Sequence, residues 1–459
     1  MKIRHLRWYI AALLFASTVI NYVDRQTLSI VAPVLTKELN ISQVQYANIL
    51  QAFLIPYTVM YVISGMVVDR WGTRISLSVF MAWWSASNAL HFMARSAAQL
   101  AGFRFLLGVG EPGNYMAAAR AVSEWYPAKE RAFVNGLVNA GSALGAIIAT
   151  PLVVWITVQH GWRAAFVATG ALGFVWLVFW LLLYRLPERH RLITGQELEY
   201  IQSPSETLDP AARPGWAELL NQREIWGLLL ARFFSDPVWW FYLFWMPKYL
   251  VEQRGFTLAQ VGMFAWLPYL ASDLGSLAGG YVSGRLTGAR RTVLQARYAT
   301  MLPCALFMPA SILIAFTQSS ALALGLICLI LFFHMAWKTN LMTLTNDIYA
   351  AESVGFVSGF TSFGSGAGGV LFTNVTGRIV QAFSYNLVFI TMGVLHPAAF
   401  LVCRLLVSKA PRQTASSNIG HHSTAPAIGR YGGRQAEISM SATADHKEAG
   451  NVCKEPGIY

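Results

Sequence analysis

The sequence predicts an all-α integral membrane protein of about twelve transmembrane helices, in two six-helix bundles related by a pseudo-twofold axis. Three observations lead to this fold class. Of the 459 residues, 55% are hydrophobic and only 12% are charged, whereas a soluble domain carries about 25% charged residues. Apolar segments long enough to cross a bilayer follow one another along the chain. One polar stretch, 186–224, divides these segments into two equal groups.

Six apolar segments precede the polar stretch. They are Trp8–Pro33, Val44–Val68, Ile75–Ala94, Ala97–Val122, Ala132–Val158 and Trp162–Tyr184. The first run continues past the length of a signal-peptide apolar region, and no small-residue cleavage site follows it cleanly. We therefore expect Trp8–Pro33 to be the first transmembrane helix.

The polar stretch contains four prolines and is too polar to cross a membrane. It predicts a cytoplasmic linker with a short amphipathic helix near Gln196–Ile201. Six further apolar segments follow it: Ile225–Leu250, Ala259–Leu286, Thr292–Phe316, Ala321–Ile348, Val354–Val380 and Tyr385–Val407. The predicted domains are therefore a bundle at 1–185, the linker at 186–224, a second bundle at 225–407 and a disordered tail at 408–459.

Lysine and arginine concentrate at the N-terminus, in the linker and in alternate loops, as at Lys2, Arg7, Arg70, Arg189 and Arg285. Such loops face the cytoplasm in membrane proteins. Both termini and the linker are therefore expected to be cytoplasmic. This topology also accounts for the net charge of +12 without a nucleic-acid partner.

The two halves repeat weakly. Gly65–Arg74 follows the second predicted helix, Gly280–Arg291 follows the eighth, and each begins with glycine and places arginine five residues later. Paired halves around a site at the membrane midplane are the general plan of secondary transporters.

Ionisable residues within apolar spans are costly and are functional candidates by default. Asp24 and Arg25 lie within the first predicted helix, where burial favours a neutral carboxyl group and a neighbouring cation favours the ionised one. Their side chains point about 100° apart, which disfavours a direct pair between them. Arg104 and Glu111 lie nearly two turns apart on the fourth helix, so they share a face and are candidates to line one cavity. In both cases a purely structural ion network remains the alternative.

Further candidates for substrate contact are polar and aromatic side chains on other spans. They are Tyr57, Trp239, Trp240, Tyr242, Lys338, Ser362 and Ser365. Aromatic faces suit a polyhydroxylated ring, and the lysine would attract an anion. Packing roles are the alternative for the aromatics and serines, while Lys338 could instead pair with Asp273. His91 and His334 each lie alone in apolar sequence, so no metal site is predicted.

The loop residues Gly65, Asp69, Arg70, Gly72 and Arg74 resemble the signature of the major facilitator superfamily, and the resemblance covers nearly all of residues 8–407. The second copy departs from the signature, because Gly284 stands in place of the acidic residue. The resemblance implies that Asp69, with Arg70 and Arg74, gates the cavity by latching the two bundles on the cytoplasmic side.

Three segments narrow this resemblance to the anion:cation symporter family. They are Asn21–Arg25, Arg104 with Gly108–Glu111, and Glu124–Arg131. The chain looks closest to hexuronate and related sugar-acid transporters within that family, which 244–250 also supports. The resemblance implies that Asp24 and Glu111 bind protons, that Arg25 helps to bind the anion, and that Arg104 is a charge partner at the second proton site. We count Arg104 among the substrate-binding candidates as well.

Taken together, these features predict a proton-coupled symporter that imports an organic anion, most simply a hexuronate, across a bacterial inner membrane as a monomer. No enzyme motif or nucleotide-binding loop occurs, and no cofactor beyond the coupling proton is expected. Three alternatives stay open: another sugar acid or carboxylate such as an aldonate or aldarate, exchange or uniport without proton coupling, and a membrane sensor of sugar acids.

Overall fold

A computed structural model of the chain describes residues 2–202, 216–288, 292–349 and 351–407. Within these ranges the chain is helical with short connections and has no β-strand. The α-helices are α1 (Leu6–Glu38), α2 (Gln43–Leu90), α3 (Ala97–Gly110), α4 (Gly113–Trp125), α5 (Ala128–His160), α6 (Trp162–Leu183), α7 (Gly195–Ile201), α8 (Trp216–Leu220), α9 (Arg223–Glu252), α10 (Leu258–Phe264), α11 (Leu267–Gly288), α12 (Val293–Phe307), α13 (Ile312–Phe316), α14 (Ser320–Ile348), α15 (Ala351–Ala382) and α16 (Tyr385–Leu406). The predicted tail at 408–459, the middle of the linker and the end of the second repeat lie outside the described residues.

The second and third predicted helices lie in one stretch, α2, which is divided by a sharp break within the predicted loop. The backbone leaves the helical region at Gly72, where φ is 75° and ψ is 162°, so two helices meet at this residue. Glycine adopts this conformation without the steric cost that a Cβ atom brings. The signature loop is therefore a single-residue break, with Asp69 still in helical geometry before it.

Other predicted spans are broken in the structure. The fourth becomes α3 and α4, because the α-helix is interrupted at Glu111 and Pro112, where proline has no backbone N–H to donate. The eighth divides into α10 and α11. The ninth divides into α12 and α13, with a 3₁₀ segment at Met308–Ser311 between them.

Six helical segments of the described chain are long and apolar enough to cross a membrane, and the bent pair Gln43–Tyr61 and Ile63–Met93 raises the number to seven. The six segments are Leu6–Glu38, Phe133–His160, Trp162–Leu183, Val293–Phe316, Ser320–Ile348 and Tyr385–Leu406. The other predicted spans are not in this set. They coincide with helices that are broken or that contain charged, glycine and serine residues, such as α9 and α15. The helix order is consistent with twelve spans.

The packing of the helices follows a pseudo-twofold pattern. Helix α1 packs on α5 and α6, and α9 packs on α15 and α16. The main contacts between the described helices of the two halves are α2 on α15, α10 with α11 on α5, and α1 on α9. Exchanging the halves interchanges the first two contacts and leaves the third in place, which confirms the predicted pseudo-twofold relation.

The short linker helix α7 confirms the helix expected near Gln196–Ile201, and it binds the start of α1. The Glu197 carboxylate accepts hydrogen bonds from the backbone N–H groups of Leu6 and Arg7, at 3.0 and 3.1 Å. A carboxylate in this position satisfies otherwise unpaired N–H groups at a helix start. We call the end of the molecule that carries this contact the linker side, and the other end the opposite side.

Candidate functional site

A cavity of about 720 Å³ lies between the two halves. Helices α1, α2, α4 and α5 form its N-terminal wall, and α9, α11, α14 and α15 form its C-terminal wall. Seven of the predicted substrate-binding side chains line it: Arg25, Tyr57, Trp239, Trp240, Lys338, Ser362 and Ser365. These seven side chains come from five different helices, as expected for a binding site between two halves.

The guanidinium group of Arg25 is bound to the Glu111 carboxylate. Arg25 Nε and Nη2 lie 2.8 and 2.6 Å from Glu111 Oε2, and the Arg25 side chain is only 2% exposed. Nη2 also donates to the Tyr57 hydroxyl at 3.0 Å and to Asn21 Oδ1 at 3.2 Å. Glu111 directly follows the end of α3, and its side chain meets Arg25 of α1. The other carboxylate oxygen, Glu111 Oε1, has no hydrogen-bond partner in the described part of the chain.

Asp24 faces away from the cavity, into the N-terminal helices. Its Oδ1 accepts a hydrogen bond from Asn88 Nδ2 at 2.6 Å, and Asn88 Nδ2 lies 2.8 Å from Thr169 Oγ1. Its Oδ2 is buried without a hydrogen-bond partner among the described residues. As the helix geometry predicted, Asp24 and Arg25 do not pair with each other.

Arg104 and Tyr242 do not line the cavity in this conformation, which corrects the expectation of direct substrate contact. Arg104 is fully buried, and its Nη2 donates to the backbone carbonyl of Arg25 at 3.2 Å. Tyr242 packs against Phe241 and Phe389 within the C-terminal half. Arg104 binds the backbone carbonyl of Arg25, and Glu111 binds its guanidinium group. Both residues therefore contact Arg25, and they do not line one cavity together.

Among the described residues, the C-terminal wall carries the Arg232–Asp236 ion pair and the cation Lys338. Arg232 Nε lies 3.3 Å from Asp236 Oδ2, and Arg232 Nη1 donates to Ser362 Oγ at 2.9 Å. Lys338 has no carboxylate within 4.0 Å in the described residues, and its ammonium lies 5.4 Å from the Trp239 ring centroid. A cation over an indole face is stabilised electrostatically by the ring.

Two further polar residues of this wall have surroundings that differ from those suggested by the sequence. Asp273 of α11 lines the cavity and does not pair with Lys338, so that alternative is wrong for this conformation. His334 is not alone: its Nδ1 lies 3.0 Å from His396 Nε2, and its ring stacks on Trp239 at 8°. The histidines are 62 residues apart, so no local sequence pattern could have joined them.

The predicted gating residues lie near the linker side. Asp69 Oδ1 accepts a hydrogen bond from Arg120 Nη1 at 2.9 Å, and Arg120 also donates to Glu124 Oε1 at 3.0 Å. Arg74 donates to the Leu181 carbonyl at 2.5 Å, and Arg70 is exposed. These contacts stay within the N-terminal half, so the described residues form no latch between the halves on this side.

The halves are joined by hydrogen bonds on the opposite side instead. The Tyr46 hydroxyl donates to the Phe244 carbonyl at 2.8 Å, and Gln51 Nε2 donates to the Val370 carbonyl at 2.9 Å. Gln43 Nε2 lies 3.2 Å from Glu252 Oε2, at the end of α9. The cavity extends the other way, toward Asn139 near the start of α5. The molecule is therefore closed on the opposite side, with its cavity directed toward the linker side.

Comparisons with known proteins agree with this architecture. A family model described as Major Facilitator Superfamily matches residues 14–373. The hexuronate transporter of Escherichia coli (strain K12) is 34% identical over 416 residues, covering 89% of this chain and 96% of that protein. The galacturonate transporter of Dickeya chrysanthemi is 38% identical over 285 residues, covering 61% of this chain and 82% of that protein.

A solved structure shares the fold. The crystal structure of a bacterial homologue of the human lysosomal transporter Spinster, in an inward-facing and occupied conformation, superposes with a TM-score of 0.67. It is 17% identical in sequence, and the match covers 88% of this chain and 95% of that one. At this identity the likeness concerns the fold alone.

Proposed function

The chain belongs to the Major Facilitator Superfamily, and we propose that it is a proton-coupled symporter that imports a hexuronate, such as galacturonate or glucuronate, by alternating access. Membership makes it a multi-pass membrane transporter rather than an enzyme. The observation that carries the proposal is the Arg25–Glu111 pair, with its guanidinium at the cavity wall. The resemblance to hexuronate and galacturonate transporters supports the choice of substrate.

Proton coupling would arise because Glu111 and the substrate carboxylate compete for the guanidinium group of Arg25. While Glu111 is ionised, it occupies both donor atoms that Arg25 directs toward it. A proton on Glu111 Oε1 removes the charge that holds the guanidinium, and the guanidinium can then bind a substrate carboxylate. Asp24 is the second proton site, since a buried carboxylate with an unpaired oxygen is more stable when neutral. Arg104 positions the pair through the carbonyl of Arg25.

The sugar would bind between the two walls. Its carboxylate meets Arg25 and the Tyr57 hydroxyl, and its ring lies against Trp239 and Trp240. Lys338, Ser362 and Ser365 supply the remaining positive charge and hydroxyl groups. An apolar cavity with a few directed polar groups is typical of small-molecule sites.

The proposed location is a bacterial inner membrane, with the linker side in the cytoplasm and the protein acting as a monomer. The basic loops support this orientation. The described conformation then corresponds to the state that releases substrate inside. Asp69, Arg70 and Arg74 would help close the linker side in the alternate state, and residues 1–185 and 225–407 would move as the two bundles around the 186–224 linker.

Uptake into proteoliposomes tests the proposal. Radiolabelled galacturonate should accumulate under an inward proton gradient, and a protonophore should abolish the accumulation. A panel of glucuronate, aldonates, aldarates and simple dicarboxylates identifies the substrate class. Counterflow that survives the protonophore, without any gradient-driven accumulation, would indicate exchange or uniport. Binding of a sugar acid without movement would indicate a sensor.

A further inference from the structure

The C-terminal wall carries two charged side chains that form no ion pair within 4.0 Å among the described residues. Four charged side chains line the cavity: Arg25, Arg232, Lys338 and Asp273. The first two are held by Glu111 and Asp236. Lys338 and Asp273 have no oppositely charged partner within 4.0 Å among the described residues. They therefore present charges of opposite sign to whatever enters the cavity.

The two serines beside Asp273 on α11 direct their hydroxyl groups to other partners in the described structure. The Ser272 hydroxyl donates to the Tyr269 carbonyl at 2.6 Å, and the Ser276 hydroxyl is shared with Thr339 at 2.7 Å. An ionised carboxylate only accepts hydrogen bonds. The donors that Asp273 lacks must come from water or from the ligand, and sugar hydroxyl groups are such donors.

The charge balance of the cavity depends on Glu111. While Glu111 is ionised, the charges of Lys338 and Asp273 cancel, and Arg25 is neutralised by its partner. When Glu111 is protonated, Arg25 adds one uncompensated positive charge. One substrate carboxylate balances that charge, whereas a second carboxylate would leave a net negative charge in a partly desolvated cavity.

We propose that Asp273 determines the charge selectivity of the carrier. It accepts hydrogen bonds from the hydroxyl groups of a monocarboxylate sugar acid, and it repels the second carboxylate of an aldarate. This inference rests on the proposed function. Discrimination by a like charge placed against the wrong ligand is a general route to specificity. Lys338 favours anions of either class, because its ammonium is held over Trp239. Asp273 is the lining group that distinguishes them.

Galacturonate and galactarate give a matched test, because they share a six-carbon skeleton and differ by one carboxylate. Their dissociation constants are measured by tryptophan fluorescence of the purified full chain, and proteoliposome uptake is measured alongside. The wild type should bind galacturonate more tightly. Asp273→Asn keeps the size of the side chain and should shift the ratio of the two constants toward galactarate by about tenfold or more.

Two control variants bracket this result. Asp273→Glu keeps the charge and should keep the wild-type preference. Lys338→Gln removes the cation and should shift the ratio the other way, because the dianion loses more attraction than the monoanion. Circular dichroism checks folding, and Asp273→Ser replaces Asp273→Asn if the latter does not fold.

The outcomes separate this inference from the proposed function. If the wild type carries hexuronate but the ratio stays within about twofold in Asp273→Asn, Asp273 does not set selectivity. Equal weakening of both ligands would likewise overturn the inference, since Asp273 would then be a general contact. If the wild type moves no hexuronate under a proton gradient, the proposed function fails whatever the ratio. Binding ratios remain measurable in variants that no longer transport.

Discussion

On the N-terminal wall of the cavity, the Arg25 guanidinium is bound by Glu111 at 2.6 and 2.8 Å and is almost completely buried. On the C-terminal wall, Lys338 and Asp273 line the cavity, and neither has an oppositely charged partner within 4.0 Å among the described residues. The two walls thus differ in how their charges are held. Arg25 is held in an ion pair, whereas Lys338 and Asp273 are not.

This difference suggests a division of labour between the walls. In the proposed mechanism, Arg25 becomes available to substrate only when Glu111 is neutral, so the N-terminal wall would couple binding to a proton. The unpaired charges of the C-terminal wall would instead select among ligands. Burial accentuates the contrast, because electrostatic interactions strengthen as water is excluded. Substitutions on the two walls should therefore have different kinds of effect.

The largest effect is expected from neutralising the buried acids of the N-terminal half, Asp24 and Glu111. Asp24→Asn should abolish accumulation against a gradient, because a proton site is removed. Glu111→Gln mimics the protonated acid, so it should impair accumulation strongly while retaining substrate counterflow. Gradient-driven uptake and counterflow, measured on the same proteoliposomes, give both results. If both variants accumulate substrate normally, neither acid couples transport to protons, and the proposed difference between the walls is wrong.

A matched exchange of basic residues should give an intermediate effect. Arg25→Lys keeps the charge but loses the planar donor fork, and a hydrogen bond to a charged group contributes about 1.5–3 kcal/mol. Binding should weaken by about tenfold to a hundredfold. Lys338→Arg should change affinity much less, because the C-terminal wall needs only a positive charge there. Competition of unlabelled galacturonate against labelled substrate measures both affinities. Equal losses would mean that the walls hold their cations in the same way.

The smallest effect is expected away from both walls, at Asp69. Its side chain is 80% exposed and pairs with Arg120, and exposed pairs contribute about 0.2–1 kcal/mol. If Asp69 stabilises closure of the linker side, Asp69→Asn should slow transport and raise access to the cavity from that side roughly twofold. Alkylation of a cysteine introduced as Asn139→Cys, on the cavity wall, measures the access.

A control keeps this last measurement specific. The Asn139→Cys variant with Asp69 intact gives the reference rate, and Asp69→Glu should stay close to it. An unchanged alkylation rate in Asp69→Asn would leave Asp69 only the local contact with Arg120, and the gating proposal for this residue would be withdrawn.

The order of the helices could be read from the sequence, because the tendency of a segment to enter a membrane depends on its own composition. The apolar runs from Trp8 to Val407 predicted the helical fold and the consistent count of twelve spans. Gln196–Ile201 was predicted as a short helix and forms one, as α7. The break near Pro112 followed from proline chemistry within the segment.

Only the tertiary structure decided which side chains meet. Arg25 and Glu111 are 86 residues apart, and they pair because α1 packs beside the α3–α4 break. His334 meets His396 for the same kind of reason. The spacing of Arg104 suggested that it shares a cavity with Glu111. In the structure Arg104 is buried and binds the backbone carbonyl of Arg25 instead. Helical periodicity fixes the face on which a residue lies, but not the helix that packs against that face. That pairing of helices left Lys338 and Asp273 without partners of opposite charge in the described chain.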